Sequence, residues 1–257
     1  MGKIVSFSNQ KGGVGKTTSC VNLAAYCAAA GKKVLLVDMD PQGNATTGLG
    51  FTKSNLKKSV YNVLIDDEPA ADNVMPTEIE NLFILPSSVD LAGAEVELVY
   101  KKSRERVLRN ALETVKKDYD FLFIDCPPSL GLLTINALVA TDSVIIPIQS
   151  EYYALEGLTQ LMNSVSLVRR SLNGGLKVEG VLLTMYDGRS LIARQISEEI
   201  RKYFTKKVYD TVIPRNVRLA EAPSHGKPVM LHDNKCMGAK AYKAFADEFL
   251  ARQEKSK

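Results

Sequence analysis

A glycine-rich segment between a short apolar run and a helical segment constrains the fold of this chain more than any other feature. The segment reads KGGVGKTT and comprises Lys11, Gly12, Gly13, Val14, Gly15, Lys16, Thr17 and Thr18. It follows the apolar run Ile4–Ser8 and leads into Lys16–Ala30, a segment of helical periodicity that ends at Gly31. Glycines let the backbone curl so that several N–H groups point at one anion, and a following helix adds the positive end of its dipole. The segment therefore predicts a phosphate-binding loop between the first strand and the first helix of an α/β fold.

Two side chains at the end of this loop have the positions expected of a phosphate-binding lysine and a metal-binding hydroxyl. Lys16 is placed to reach the β- and γ-phosphates of a nucleoside triphosphate, and the hydroxyl of Thr17 is placed to bind Mg²⁺. Because the complete Gly-Lys-Thr ending stands between a strand and a helix, the pattern predicts a triphosphate site that contains Mg²⁺.

Short β-branched runs alternate with longer helical segments along the whole chain. The predicted strands are Ile4–Ser8, Lys33–Asp38, Leu82–Pro86, Phe121–Asp125, Ser143–Ile148, Val178–Met185 and Val208–Ile213. The predicted helices are Lys16–Ala30, Arg104–Lys117, Gly157–Leu172, Leu191–Phe204 and Ala239–Arg252. Continuously apolar strands are typical of a sheet covered on both faces. The alternation predicts an α/β fold with a doubly wound, mostly parallel sheet and helices on both faces. No repeat or linker divides the chain, so we expect one domain over residues 1–257.

Two carboxylates follow the ends of predicted strands. Asp125 ends the run FLFID, and Asp40 comes directly after the second strand. Ligands of open α/β sheets bind at the carboxyl ends of the strands, so both side chains and the loop are expected at one crevice. Together with Thr17, Asp40 and Asp125 are the candidate metal ligands. For Asp38, a role at the site and a role as a turn former are both open.

Composition excludes several other classes of protein. The chain has 257 residues, of which 45% are hydrophobic and 24% are charged, as in globular proteins. Its apolar runs are far shorter than the ~20 residues that span a bilayer, and its N-terminus lacks the pattern of a signal peptide. We therefore expect a soluble, cytoplasmic protein. Residues 151–257 carry 18 Lys and Arg against 12 Asp and Glu, which indicates a polyanionic partner for this part.

The loop departs from the usual phosphate-loop pattern at its start. Gln10 stands where a glycine is usual, and a second lysine, Lys11, opens the loop. This form resembles the deviant Walker A motif of the ParA/MinD group of ATPases. Four further blocks resemble the chromosomal ParA proteins of the Soj type, and they cover residues 37–46, 123–138, 151–158 and 212–228. The resemblance therefore extends over nearly the whole chain.

This resemblance implies an ATP-driven switch in chromosome segregation. In the family, two ATP-bound copies pair face to face as a homodimer, and the dimer binds double-stranded DNA without sequence specificity. A ParB-type centromere-binding partner stimulates hydrolysis, which releases the protein from the nucleoid. The resemblance makes Lys11, Lys16 and Asp40 catalytic: Lys11 reaches the partner's nucleotide, and Asp40 orients the attacking water. It implies a slow, Mg²⁺-dependent ATPase that is cytoplasmic and nucleoid-associated.

The resemblance also assigns contacts in the second half of the chain. Arg189 and Arg218 correspond to arginines that contact DNA, and both lie in the basic half. The adenine pocket is expected from Met185, Pro214 and Asn216. Less well supported DNA contacts are Arg194, Lys202, Lys206, Lys207 and Lys227.

Two alternatives belong to other functional classes. A MinD-like, membrane-associated cell-division ATPase would need an amphipathic C-terminal helix, and Tyr242, Phe245 and Phe249 do have helical spacing. Such a stripe is also typical of a face packed on the core, and the neighbouring acidic residues disfavour anionic lipid, so no membrane contact is expected. An electron-transfer protein related to nitrogenase iron protein would need a second cysteine near Cys126, and residues 80–140 contain none.

Overall fold

The computed structural model describes residues 2–151 and 154–255, and a single sheet runs through them. Its strands are β1 Lys3–Phe7, β2 Val34–Asp38, β3 Met75–Pro76, β4 Leu82–Leu85, β5 Phe121–Asp125, β6 Ser143–Gln149 and β7 Lys177–Thr184. Their order is β3-β4-β2-β5-β1-β6-β7. All neighbouring pairs are parallel except β3 with β4. The predicted doubly wound, mostly parallel sheet is confirmed.

Helices cover both faces of this sheet. They are α1 Lys16–Ala29, α2 Asn44–Gly48, α3 Val60–Leu64, α4 Ala70–Asn73, α5 Leu91–Glu97, α6 Val107–Glu113, α7 Leu132–Ala140, α8 Ala154–Ser171, α9 Leu191–Phe204, α10 Val217–Glu221, α11 Val229–His232 and α12 Met237–Glu254. Successive strand residues point to opposite faces. Accordingly, Leu36 and Phe123 pack with α1 and α12, whereas Leu35 and Ile124 pack with α3, α5, α6 and α7.

The C-terminal helix α12 belongs to the core. Tyr242, Phe245 and Phe249 are at most 1% exposed, and the ring of Phe249 lies 5.3 Å from that of Phe121. Burying an aromatic side chain of this size contributes about 1.5–3 kcal/mol. The stripe of aromatic residues is therefore a face packed on the sheet. No helix of the described residues has the length and hydropathy that crossing a bilayer requires.

The predicted strand Val208–Ile213 is wrong. This segment makes one isolated bridge to β7, at Val208, and the N–H groups of Tyr209 and Ile213 donate to carbonyls of β7 at 2.9 and 2.8 Å without forming a strand. The backbone N–H groups of Asp210 and Thr211 instead donate to the carboxylate of Glu248 on α12, each at 2.9 Å. Because these donors are bound by a side chain, hydrogen bonding to β7 is interrupted between Tyr209 and Ile213.

Helix α7 was not among the predicted helices. Seven of its nine residues are buried, from Leu133 through Ala140 with the exception of Ile135. A helix that is buried on nearly all sides lacks the polar face from which helical periodicity is recognised.

Of the four family-like blocks, the one at 151–158 includes residues 152 and 153, which lie outside the described residues.

Candidate functional site

The glycine-rich loop lies directly after β1 and turns sharply twice. Gly13 and Gly15 have φ values of 74° and 82°, a backbone conformation that glycine adopts without steric cost. Asn9 secures the start of the loop: its Nδ2 donates to the carbonyl of Pro147 at 2.8 Å, and its Oδ1 accepts from the N–H of Lys11 at 3.0 Å. The loop is thus anchored to β6, and α1 begins immediately after Gly15.

Lys16 is a buried cation at the start of α1. Its side-chain Nζ donates to the carbonyl of Lys11 at 3.2 Å, and the residue is only 6% exposed. Burial lowers the pKa of Lys16, while the charges of Asp125, Cys126 and Asp40 oppose that shift. The first turn of α1 has no acidic residue, so the positive end of the helix is not neutralised locally. An anion would gain from both the lysine and the helix terminus.

The loop forms one wall of a cavity of about 630 Å³. The cavity brings together predicted residues from four parts of the chain: Gly12, Gly13, Gly15, Lys16, Thr17, Thr18, Asp40, Met185, Pro214 and Asn216. Val14 is instead buried beneath the loop, at 1% exposure. This size lies within the range of about 300–1,000 Å³ that small-molecule sites occupy.

Three aspartates lie at the carboxyl ends of β2 and β5. Asp38 and Asp125 are opposite each other in the parallel ladder, and Asp40 follows two residues later. Burial, with a contribution from the charge of Asp38, raises the pKa of Asp125 well above its ordinary value. The Thr17 hydroxyl faces this carboxylate and opposes the rise in pKa, although no well-aligned hydrogen bond to either oxygen forms within the described part of the chain. The carboxylate of Asp40 accepts from the N–H of Gln42 at 2.9 Å and borders the cavity.

Asp38 is a turn former, as one of the two roles left open by its sequence context predicts. Its carboxylate accepts from the N–H and the hydroxyl of Thr46, at 2.8 and 2.7 Å, and from the N–H of Asp40 at 3.2 Å. Burial raises the pKa of Asp38 to about 6, although these hydrogen bonds oppose the shift. The side chain is fully buried and holds the turn that carries Asp40.

These residues fit a magnesium ion bound together with phosphates. Mg²⁺ prefers oxygen ligands, keeps several waters, and usually takes only one or two carboxylates from the protein. The buried oxygens of Asp125 and the neighbouring Thr17 hydroxyl meet that requirement. Across the described ranges, no group of three or more His, Cys, Asp and Glu side chains is arranged to hold a metal alone. The remaining ligands would have to come from phosphate and water.

Lys11 does not join the lining of the cavity. Its Nζ lies 2.8 Å from Oε2 of Glu151, and the two side chains are 36% and 49% exposed. The ion pair draws the lysine towards the end of β6. Glu151 begins the family-like block at residues 151–158, but the sequence offers no sign that it pairs with Lys11.

Arg189 and Arg218 are also outside the cavity, and each is paired with acidic neighbours. Two nitrogens of Arg189 donate to the two carboxylate oxygens of Asp187, both at 2.9 Å, and these bonds lower the pKa of Asp187 to about 2. The side chain of Arg189 is 91% exposed. Arg218 pairs with Glu221 at 2.8 Å and with Asp233 at 3.5 Å.

Sequence reasoning missed several residues of the site. Thr184, Arg215 and Tyr242 line the cavity, and the Thr184 hydroxyl donates to the carbonyl of Val14 at 2.8 Å. Arg215 directly follows Pro214 in the family-like block at residues 212–228, so it could have been included among the predicted site residues. Thr184 gave no signal, because its contact is with a loop 170 residues earlier.

Known proteins resemble this chain over nearly its full length. A family model described as an AAA domain matches residues 2–178. The sporulation initiation inhibitor protein Soj of Bacillus subtilis is 59% identical, and the match covers 98% of this chain and 99% of that protein. The chromosome partitioning protein ParA of Myxococcus xanthus is 54% identical over 98% of this chain and 89% of its own length.

Solved structures share the fold. A protein of Mycobacterium smegmatis named cobyrinic acid a,c-diamide synthase, with bound ADP and magnesium, has a TM-score of 0.87 and 36% identity. That match covers 100% of this chain and 97% of the other. The cell-division ATPase MinD of Pyrococcus furiosus has a TM-score of 0.82 and 28% identity, over 98% of this chain and all of the other.

Proposed function

The chain belongs to the family of Soj and ParA chromosome-partitioning ATPases, and from this premise we propose that it is an ATP-driven switch in chromosome segregation. One observation carries the proposal: the phosphate loop, the buried Lys16 and Asp40 line one cavity, while Asp125, which does not line it, ends β5 opposite Asp38 in the ladder. Because all seven strands of the described residues belong to one sheet, and the C-terminal helix α12 packs on α1, we treat residues 1–257 as a single ATPase domain.

We infer that ATP with Mg²⁺ is held by the loop and its neighbours. The loop N–H groups and Lys16 would bind the phosphates, and Met185, Pro214 and Asn216 would surround the adenine. Thr17, Asp125 and Asp40 are the proposed contacts of the metal. When bound, the metal would offset negative charge on the phosphates, which is the main catalytic resource in such sites.

Asp40 is the proposed catalytic carboxylate. It borders the cavity at 6% exposure, and its backbone is fixed by the turn described above. From there it would orient the water that attacks the terminal phosphate, with Lys16 stabilising the developing charge. The chain offers no arginine within the loop itself, so Lys11 from a second copy is the proposed additional cation.

The ATP-bound form is proposed to be a homodimer that binds double-stranded DNA without sequence specificity. Arg189 and Arg218 are the proposed DNA contacts, and the positive balance of residues 151–257 supports a polyanion on this side. Contacts of this kind to phosphate are salt-sensitive and carry no sequence information. Hydrolysis, stimulated by a ParB-type partner, would release the protein from the nucleoid.

The test is DNA retention measured with ATP, with ADP and without nucleotide, over a range of salt concentrations. We expect retention only with ATP and a steep loss with added salt. Replacing Arg189 and Arg218 with alanine should abolish retention and preserve ATP binding, whereas alanine at the exposed Arg169 and Arg170 of α8 is the charge-matched control. Equal retention without nucleotide would refute the switch, and unchanged retention in the double variant would refute the assigned DNA face.

A second test addresses the dimer. Asp40→Ala is expected to bind ATP, to lose hydrolysis and to accumulate as a dimer on size-exclusion chromatography. Wild-type protein with ADP is the control and should remain monomeric. If Asp40→Ala saturated with ATP elutes only as a monomer, the face-to-face dimer is wrong.

The MinD-like alternative, with membrane association, has less support. The apolar residues of α12 that would enter a lipid surface are buried against the sheet. Sedimentation with anionic liposomes in the presence of ATP separates the two proposals, since the partitioning proposal expects the protein to stay in the supernatant. The electron-transfer alternative is also poorly supported, because Cys126 is fully buried.

A further inference from the structure

A chain of hydrogen bonds joins the turn after β2 to the loop after β4. The hydroxyl of Thr46 donates to Asp38 at 2.7 Å and accepts from the N–H of Ser87 at 2.9 Å. All three residues are fully buried. Thr46 lies in the middle of the short helix α2, and Ser87 follows β4, so the network links this helix to the loop after β4 at the carboxyl edge of the sheet.

The same network fixes the backbone of Asp40 on both sides. The hydroxyl of Ser87 donates to the carbonyl of Asp40 at 2.9 Å, and this carbonyl also accepts from the N–H of Gly43 at 2.8 Å. The N–H of Asp40 donates to Asp38 at 3.2 Å. The peptide groups that flank the Asp40 side chain are thus both hydrogen-bonded inside the protein.

We propose that Ser87 and Thr46 are positioning residues for Asp40: they hold the turn so that its carboxylate faces the cavity. Neither residue lines the cavity, so neither is placed to touch a nucleotide. This inference rests on the proposed catalytic role of Asp40. Catalytic groups must be held within a fraction of an ångström of the productive geometry, and buried hydrogen bonds provide that restraint.

Ser87 is the better residue for a test, because removing its hydroxyl leaves the Asp40 carbonyl bonded to Gly43. The N–H of Ser87 can still donate to Thr46 in Ser87→Ala, so the network loses one link and the fold keeps its core. The adjacent Ser88 supplies a matched control. It is also buried, at 3% exposure, and its hydroxyl has no hydrogen-bond partner within the described residues.

The experiment compares Ser87→Ala with wild type and Ser88→Ala by steady-state ATP hydrolysis and by amide hydrogen exchange without nucleotide. Loss of one buried hydrogen bond to the turn should lower kcat roughly three- to tenfold and leave KM for ATP within about twofold. Peptides that cover residues 38–46 should exchange faster in Ser87→Ala than in wild type. Ser88→Ala should match wild type in both measurements.

A general structural role gives a different pattern. If exchange rises across the whole sheet, or if KM and kcat change together, Ser87 supports the fold and the proposal is overturned. It is also overturned if wild type hydrolyses ATP and Ser87→Ala shows unchanged kcat and unchanged exchange. If wild type itself fails to hydrolyse ATP, the proposed function fails, and the positioning role fails with it.

Thr46→Ser, which keeps the hydroxyl, should retain more activity than Thr46→Val.

Discussion

The ammonium of Lys11 is bound by the carboxylate of Glu151 within the same chain, with 2.8 Å between Nζ and Oε2. If Lys11 serves a second copy, as proposed above, this ion pair must break when the dimer forms. The pair is exposed on both sides, and exposed pairs contribute only about 0–1 kcal/mol. Glu151 would therefore act as a weak restraint on the lysine and not as a structural support.

Glu151→Gln tests this relationship. We expect the free energy of unfolding in urea to change by less than about 0.5 kcal/mol, because the pair is solvent-exposed. With ATP, the dimer should form at a protein concentration roughly two- to fivefold lower, since Lys11 no longer has to leave a partner. Analytical ultracentrifugation measures the shift, and ADP is the control. Unchanged or weaker dimerisation would show that the pair does not oppose assembly.

Asp187→Asn should strengthen DNA binding. The Asp187 carboxylate neutralises the exposed Arg189, and its pKa of about 2 means that it stays ionised at neutral pH. Removing this charge frees the guanidinium and lowers repulsion of phosphate, so ATP-dependent DNA affinity should rise roughly two- to fivefold at moderate salt. Asp67→Asn, which removes an exposed charge paired with Lys101, is the control. Equal affinities for Asp187→Asn and wild type would argue against DNA contact by Arg189.

Two buried tyrosines should respond differently to loss of their hydroxyl groups. The hydroxyl of Tyr209 has no hydrogen-bond partner among the residues that the structure describes, whereas that of Tyr242 lies 3.0 Å from the hydroxyl of Ser19. Tyr209→Phe should therefore preserve or raise stability at pH 7, and Tyr242→Phe should cost about 1 kcal/mol. Thermal unfolding of the two variants makes the comparison. A larger loss in Tyr209→Phe would contradict it.

The same tyrosines predict sensitivity to alkali. Burial raises the pKa of both Tyr209 and Tyr242 above the ordinary value of 10.0. Because burial disfavours the ionised phenolate in the folded state, stability that is present below the unfolded pKa is lost as the pH rises above about 10 towards the folded pKa. The free energy of unfolding is to be measured from about pH 8 to about pH 11, an interval that spans the ordinary tyrosine pKa of about 10. It should decline less over this interval in Tyr209→Phe than in wild type. Equal declines would refute this assignment.

Glu179 should stabilise the fold at neutral pH and cease to do so in acid. Burial alone would raise its pKa, but hydrogen bonds from Lys3, Ser143 and Gln253, each at 2.6 Å, outweigh burial and lower it below the ordinary 4.5. A carboxyl group with a lowered pKa contributes stability above its unfolded pKa and loses it as the pH falls through the folded pKa. Glu179→Gln should therefore cost about 1–3 kcal/mol at pH 7.

Urea unfolding at several pH values measures this effect. The difference between wild type and Glu179→Gln should shrink as the pH falls below the ordinary value of 4.5 and through the lowered pKa of the folded state. Glu113→Gln, at an exposed position of α6, is the control and should have little effect at any pH. A difference that is constant from neutral to acid pH would mean that packing, and not charge, accounts for the loss.

Most of the sheet and the phosphate loop could be predicted because their signals are local. Val34–Asp38 and Phe121–Asp125 are continuous apolar runs, which the structure confirms as neighbouring central strands. Local reasoning failed at Val208–Ile213, because an apolar run does not reveal that Glu248, on a helix more than thirty residues later, binds its N–H groups. It failed at α7 because a helix buried on nearly all sides has no polar face.

The sequence by itself determined which groups are available at the site: glycines for two tight turns, Lys16 at a helix start, and carboxylates at strand ends. These are properties of residues close together in the chain, so a one-dimensional pattern records them. Only the tertiary structure decided how the groups are held: Lys11 pairs across 140 positions, Thr184 binds the loop across 170, and Ser87 reaches Asp40 across 47. Hydrogen bonds act over about 3 Å of space and not along the sequence. Such partners are therefore known only once the sheet has placed its strands side by side.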